Sequence, residues 1–200
     1  MFRHHWRVNR DSVLLSPLRV FAAAVIALTP AAVYGQSGET DVGELAIHGG
    51  GTFGTGTHPA VAASTGIAFA RRGMALLDVA YTPMGHDILW RRHDVQSPQN
   101  SQLFEFMFSS HIRFPVKARL APYAIIGGGL LFNTFRGYTG PQGALVGIED
   151  FKFGVQTGGG VRYYLGENWG IRPEFKVIVS SQTYTRMSIG VFYVVPPLWP

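Results

Sequence analysis

Apolar and polar residues alternate with a period of two in four stretches of the chain. Phe104, Phe106 and Phe108 fall on one side of an extended run, with Glu105, Met107, Ser109 and His111 on the other. Phe151, Phe153 and Val155 oppose Lys152, Gly154 and Gln156, in a run that continues to Arg162. Further on, Trp169, Ile171, Phe175 and Val177 oppose Arg172, Glu174 and Lys176. Finally, Met187, Ile189, Val191 and Tyr193 oppose Arg186, Ser188 and Gly190. Successive side chains of a strand point to opposite faces, so each run predicts a strand with one apolar and one polar face. With turn residues as punctuation, the chain divides into eight such runs, at approximately 44–54, 61–70, 74–82, 102–113, 122–134, 151–164, 169–179 and 185–195.

The connections between runs are unequal. Arg71-Arg72-Gly73, Phe114 to Ala121 and Leu165-Gly166-Glu167-Asn168 are short, whereas 83–101 and 135–150 are long and rich in Gly, Pro or charge. If the chain enters from the periplasm, these three short turns fall on that side and both long loops fall outside, together with two short connections near 55–60 and 180–184. That asymmetry, an even strand count, and runs near the length of about 9–11 residues that crosses a bilayer define a bacterial membrane barrel. The predicted fold is all-β: an eight-stranded antiparallel up-and-down transmembrane β-barrel. In a soluble barrel the Phe faces would instead form the core. Small residues on the polar face (Gly50, Ser64, Gly66, Gly154, Gly158, Gly160 and Gly190) favour a narrow polar interior with the Phe faces in lipid. Phe53, Tyr81, Tyr123, Phe132, Tyr163, Trp169 and Tyr193 lie near strand ends and suit interfacial girdles. Pro122 and Pro173 each remove a ladder donor, so they are expected at a strand start, a bulge or the rim.

Composition agrees. Charged residues make up only 14% of the chain and aromatics reach 13%, with 25 Gly. Ordinary soluble domains carry roughly 25% charge. There is no Cys, which excludes a disulfide framework, a thiolate metal site, a Cys nucleophile and lipid attachment at a cysteine. Arg3, Arg7, Arg10 and Arg19, then the apolar stretch Val20 to Val33 and a small-residue exit at Gly35, have the order of a cleaved signal peptide. The expected organisation is a signal peptide at 1–35, a polar leader at 36–43, an outer-membrane barrel at 44–195 and a tail at 196–200. Losing the four Arg and one Asp of residues 1–35 leaves 13 basic and 11 acidic residues, a net charge of +2 that gives no case for nucleic acid.

A family resemblance rests on particular runs. Phe153-Gly-Val-Gln-Thr-Gly-Gly-Gly-Val-Arg-Tyr-Tyr-Leu, followed by Asn168-Trp-Gly-Ile-Arg-Pro-Glu-Phe-Lys, resembles the last hairpin of the eight-stranded outer-membrane barrel superfamily. That group includes the transmembrane domain of outer membrane protein A and the opacity-type porin-like proteins. Ala121-Pro-Tyr-Ala-Ile-Ile-Gly-Gly-Gly-Leu resembles its fifth strand. The resemblance covers about 44–195 and implies a protein of the Gram-negative outer membrane with outer-membrane lipids and lipopolysaccharide around it. It also implies recognition by the barrel-assembly machinery, for which Ser188, Gly190, Tyr193 and Val195 have the spacing. A monomer without cofactor is expected.

Candidate chemistry is sparse. Asp78, Glu105, Arg162, Arg172, Glu174, Lys176 and Arg186 are predicted to face inward, where charge is costly unless paired. A salt-bridge network filling the interior is therefore expected, with a narrow ion path as the alternative. Trp90, Arg91, Arg92 and His93 are the expected loop contacts, placed to meet lipopolysaccharide phosphates. No catalytic residue and no metal site is assigned. His48, His58, His86, His93 and His111 form no metal-type pair in sequence. A lipid-modifying enzyme would need a convergent Ser–His pair. The late strand offers Ser180 and Ser181 without His, and His111 beside Ser109 and Ser110 is the nearest approach. The expected role is thus non-enzymatic, structural or loop-mediated, with a lipid-modifying enzyme, a narrow pore and a soluble ligand-binding barrel as alternatives.

Overall fold

The computed structural model describes residues 43–70, 72–88, 95–114, 119–139 and 144–195. The signal peptide expected at 1–35, residues 36–42 of the expected leader, the tail at 196–200 and the expected contacts Trp90, Arg91, Arg92 and His93 lie outside the described residues.

Eight strands are present: β1 Gly43–Phe53, β2 Thr57–Ala70, β3 Gly73–Gly85, β4 Val95–Arg113, β5 Leu120–Thr139, β6 Ala144–Tyr164, β7 Trp169–Val179 and β8 Thr183–Val195. Each pairs antiparallel with its sequence neighbours, and β1 closes on β8 from Gly43↔Val195 to Phe53↔Thr185, giving an up-and-down barrel in chain order. Closure leaves no open edge around the ring, which is what a sheet in lipid requires of its backbone. The β1–β2 turn is tight because Gly54 and Gly56 take φ of +121° and +114°, a region other residues rarely enter. Gly50 and Gly158 permit close approach of strands: a Cβ on either would overlap the backbone carbonyl of Met187 or Phe175.

The register fixes the two faces. Glu44, Ser64, Asp78, Met107, Gly154, Lys176 and Arg186 point inward, together with the strand neighbours two residues away from each. Outward sit Ile47, Phe108, Ile126, Phe151, Phe153 and Met187, Ile47 being 71% exposed and Phe153 66%. Arg162 and Arg172, by contrast, are wholly buried. A soluble barrel would show the opposite. Buried arginines inside an apolar jacket are the arrangement of a membrane barrel.

Aromatic rings mark both rims of the jacket. Tyr81, Phe104, Phe132 and Phe151, on four consecutive strands, form a chain with centroid separations of 5.0, 6.2 and 4.4 Å. At the other end Tyr163, Trp169 and Tyr193 are exposed on β6, β7 and β8. Tyr123, expected in a girdle, is instead buried on the inner face, where its hydroxyl donates to Glu174 Oε1 at 2.6 Å. Its strand phase, shared with inward Ile125 and Leu131, overrides its position near a strand end.

The long connections also differ from expectation. Residues 135–139 and 144–150 are strand, paired from Phe135↔Ile148 to Thr139↔Ala144, so only 140–143 separate β5 from β6. Within 83–101, β3 runs to Gly85 and β4 begins at Val95, leaving 86–94 between them. Gly137 and Pro98, which signalled loop, lie within strands, with register shifts between Gln96 and Gln102 and Asn100 at φ +51°. Pro122 is the third residue of β5 and faces outward. Pro173 lies inside β7, and the β6–β7 ladder skips Val161 and Arg162 opposite it, while the β7–β8 ladder is unbroken.

Candidate functional site

Two features stand out: a charged interior and a sheet that rises above the barrel. The interior is built from side chains that alternate inward from all eight strands. Its centre is Glu44 on β1, whose carboxylate meets Arg162 of β6 (Nε to Oε2, 3.0 Å; Nη2 to Oε1, 3.1 Å) and also Arg172 of β7. Arg172 continues the network, its Nε forming an ion pair with Glu174 Oε1 at 3.0 Å and its Nη2 donating to Ser64 Oγ at 2.8 Å. Lys176 Nζ then bridges Glu174 Oε2 at 3.0 Å and Asp78 Oδ2 at 3.5 Å, and Asp78 accepts from Ser109 Oγ at 2.9 Å. A separate pair, Arg186 with Glu105, sits beside Tyr184 towards the long-strand end.

Charges balance within this set. Four buried carboxylates (Glu44, Asp78, Glu105, Glu174) face four buried cations (Arg162, Arg172, Lys176, Arg186). An unpaired ion in a low-dielectric interior costs several kcal/mol, so strand pairing and charge pairing must be satisfied together. All seven residues predicted from sequence to face inward are buried, and six are joined to at least one other of the set. Arg162 is held instead through Glu44, which sequence reasoning left out. Glu44 shares its phase with Gly50, already placed on the polar face, and that was the available signal.

His48 and His111 are buried in the same network. Arg172 Nη2 lies 2.6 Å from His48 Nε2. A guanidinium has only donors, so His48 Nε2 accepts and the ring proton sits on Nδ1, 4.0 Å from Glu174 Oε2. His111 stacks on Tyr123 with centroids 4.8 Å apart, and the Arg162 guanidinium also lies over the Tyr123 ring, 4.8 Å from its centre. Ser109, two residues from His111, donates to Asp78 rather than to a histidine, and Ser180 Oγ donates to the Phe153 carbonyl at 2.9 Å. Neither serine is positioned as a nucleophile activated by His.

Above the Glu44–Asp78 network, and around the Arg186–Glu105 pair, lies an apolar layer of Met84, Leu103, Met107, Leu131, Ile178 and Tyr184, all essentially without solvent access. The interior is thus a polar network followed by an apolar layer that encloses one further ion pair. Outside it, the β1–β2 turn and the residues after β3 enclose a cleft lined by Gly54, Thr55, His86, Asp87, Ile88 and Gln182, where His58 Nε2 and Asp87 Oδ2 are 3.1 Å apart. Among the described residues no group of three or more His, Cys, Asp or Glu is placed to hold a metal ion.

The second feature follows from strand length. β5 and β6 run to 20 and 21 residues, against 11 for β7. The β6–β7 ladder ends at Val155↔Val179 and Ser180 Oγ caps the Phe153 carbonyl, so β6 from Ala144 to Phe151 pairs with β5 alone among the described residues. Together with the start of β4, these segments make a protruding sheet.

No protein-family model and no curated protein matches the chain. Solved structures do. Neisserial surface protein A superposes with a TM-score of 0.53 at 14% identity, covering 76% of this chain and 96% of that one. Ail, the attachment invasion locus protein of Yersinia pestis, gives 0.53 at 11%, covering 78% and 99%. A major outer membrane protein from Thermus thermophilus gives 0.56 at 11%, covering 76% and 99%. The shared property is the fold, an eight-stranded barrel of the outer-membrane type.

Proposed function

We propose that this chain, an eight-stranded barrel of the outer-membrane type, is a non-enzymatic surface protein whose protruding sheet engages an extended segment of another protein. The observation that carries this reading is the open edge of β6 from Ala144 to Phe151. A strand paired on one side offers a row of free N–H and C=O groups, and closed barrels otherwise remove such edges. Here an edge is retained outside the ring, where it templates a partner strand by main-chain hydrogen bonding. The interior supports the reading, because Ser109 is engaged by Asp78 and Ser64 by Arg172, and its charges are paired with one another. That charge network serves as a plug that holds the strands in register. Ail is by its own description an attachment protein with the same barrel, which favours display over catalysis. Trp90, Arg91, Arg92 and His93 belong to the same outer end by sequence and are expected to touch lipopolysaccharide phosphates there.

Removing residues 133–150 and rejoining Phe132 to Phe151 with Asn-Gly tests the proposal, because it takes away all of the free edge but Phe151 while β5 and β6 keep their pairing from Phe132↔Phe151 downward. Cells displaying the full chain are expected to adhere to immobilised extracellular-matrix proteins, and the trimmed barrel to lose at least about nine-tenths of that adhesion, as loss of a main-chain interface requires. Equal adhesion by a trimmed barrel with unchanged unheated gel mobility would exclude the edge.

A further inference from the structure

Resting on the reading of β6 as a docking edge, we propose that this edge selects its partner by charge. The partner is an extended segment that runs antiparallel to β6 and carries a basic, an apolar and an acidic residue in that order. The protruding sheet has two free edges, and only one is fit to pair. The β3–β4 ladder ends at Gly85↔Ser101, so β4 beyond that point pairs with β5 alone among the described residues. That edge is blunted. Pro98 lacks a donor, its carbonyl accepts from His86 Nδ1 at 3.1 Å, and the register breaks between Gln96 and Gln102. The β6 edge from Ala144 to Phe151 reads Ala-Leu-Val-Gly-Ile-Glu-Asp-Phe, with no Pro, no Lys and no register shift against β5.

Register sets the charge rule. In the β5–β6 ladder Arg136 lies across from Gly147 and Thr134 across from Glu149, all four on one face. Arg136, Gly147 and Glu149 are exposed. Neither Arg136 nor Glu149 forms an ion pair among the described residues. A Cβ at Gly147 would meet nothing within 4 Å, so no side chain stands between Arg136 and a strand added outside β6. Arg136 and the added residue across from Gly147 are two strand spacings apart, about 9.6 Å between Cα atoms. An arginine and a glutamate extended towards each other bridge that distance, so the added residue is acidic. The one across from Glu149, whose other neighbour is the neutral Thr134, is basic. Between them, on the other face, the added residue meets Ile148 and is apolar. In an antiparallel strand the residue facing Glu149 comes first, which gives the order basic, apolar, acidic. The reverse order sets cation beside Arg136 and anion beside Glu149, and like charges across a ladder repel.

The test coats surfaces with two synthetic peptides of one composition, Thr-Val-Lys-Val-Glu-Val-Thr and Thr-Val-Glu-Val-Lys-Val-Thr, and counts adherent cells that display the full chain. The expected result is roughly tenfold more cells on the Lys-Val-Glu peptide, the order of effect of turning two attractive cross-strand charge pairs into two repulsive ones. Arg136→Glu with Glu149→Lys is expected to reverse the preference, and Arg136→Lys with Glu149→Asp to keep its direction. Equal adhesion to the two peptides, a preference for Glu-Val-Lys by the parent chain, or a preference that the double reversal leaves unchanged overturns the charge rule. So does adhesion to neither peptide. In each of these cases the open edge itself stands if adhesion to matrix proteins still falls on removal of residues 133–150. Unchanged matrix adhesion by that trimmed barrel overturns the edge, and the charge rule with it. Unheated gel mobility of each variant separates loss of the preference from loss of the fold.

Discussion

Glu44→Ala is expected to destabilise the folded barrel by about 3–5 kcal/mol, the range for removing one partner of a buried ion pair. Glu44 is the carboxylate shared by Arg162 and Arg172, both without solvent access. Its loss leaves two guanidiniums facing each other, with only Glu174 near enough to compensate Arg172. Arg162 keeps a contact to Met74 Sδ at 3.5 Å and the Tyr123 ring, neither of which carries charge. The pairing also spans the barrel: Glu44 is 118 residues from Arg162 and 128 from Arg172 in sequence, so it ties β1 to β6 and β7. Urea titration of the refolded protein in vesicles, followed by tryptophan fluorescence, reads the loss. Combining Glu44→Ala with Arg162→Met is expected to cost less than the sum of the two, because the orphaned cation leaves with its partner. A loss under about 1 kcal/mol for Glu44→Ala would mean that the interior is solvated and the pair exposed in effect.

Phe108→Arg has the second large effect and tests the outer face. Phe108 is 61% exposed on β4. It lies between the aromatic chain at Phe104 and the rim at Phe114. The roughly ten residues from Phe104 to Phe114, at a rise near 3.4 Å and a tilt of about 40°, span about 26 Å of membrane thickness, matching the apolar band of such barrels. Phe108 is therefore close to the bilayer midplane, where Arg costs about 2–4 kcal/mol. Glu149→Arg, on the exposed part of β6 above the band, is expected to stay within about 0.5 kcal/mol as surface changes do. The same titration compares the two. Equal small effects would place Phe108 in water.

Phase decided what was legible in the sequence. Where charged and aromatic residues alternate, as in Phe104–His111 or Trp169–Val177, both the strand and its two faces follow from the residues alone. In Ala124-Ile-Ile-Gly-Gly-Gly-Leu-Leu the run is apolar on both faces, so nothing marks Tyr123 as inward. Its place is fixed only by pairing with Arg113 and Gly160 across the two neighbouring strands. Glu44 was hidden for a related reason: Gly49-Gly50-Gly51 erases the alternation of β1, and the partners that reveal its role lie on strands remote in sequence. The protruding sheet was missed because Gly137, Gly140, Pro141 and Gly143 read as a loop. Residues 140–143 do separate the strands, but pairing of β5 with β6 carries the backbone through Gly137 and Gly147 without a break. Local turn chemistry sets where a chain is free to turn, and the partner strand decides whether it does.

The central claim is that apolar side chains face lipid and charges fill the interior. Fractionation of cells expressing the full chain, with gel mobility compared before and after heating, tests it most directly. The account predicts recovery in the outer-membrane fraction, with an unheated band that runs ahead of the heated one because the closed barrel stays folded in detergent. Recovery in the soluble periplasmic fraction, with no heat-dependent shift, would contradict it.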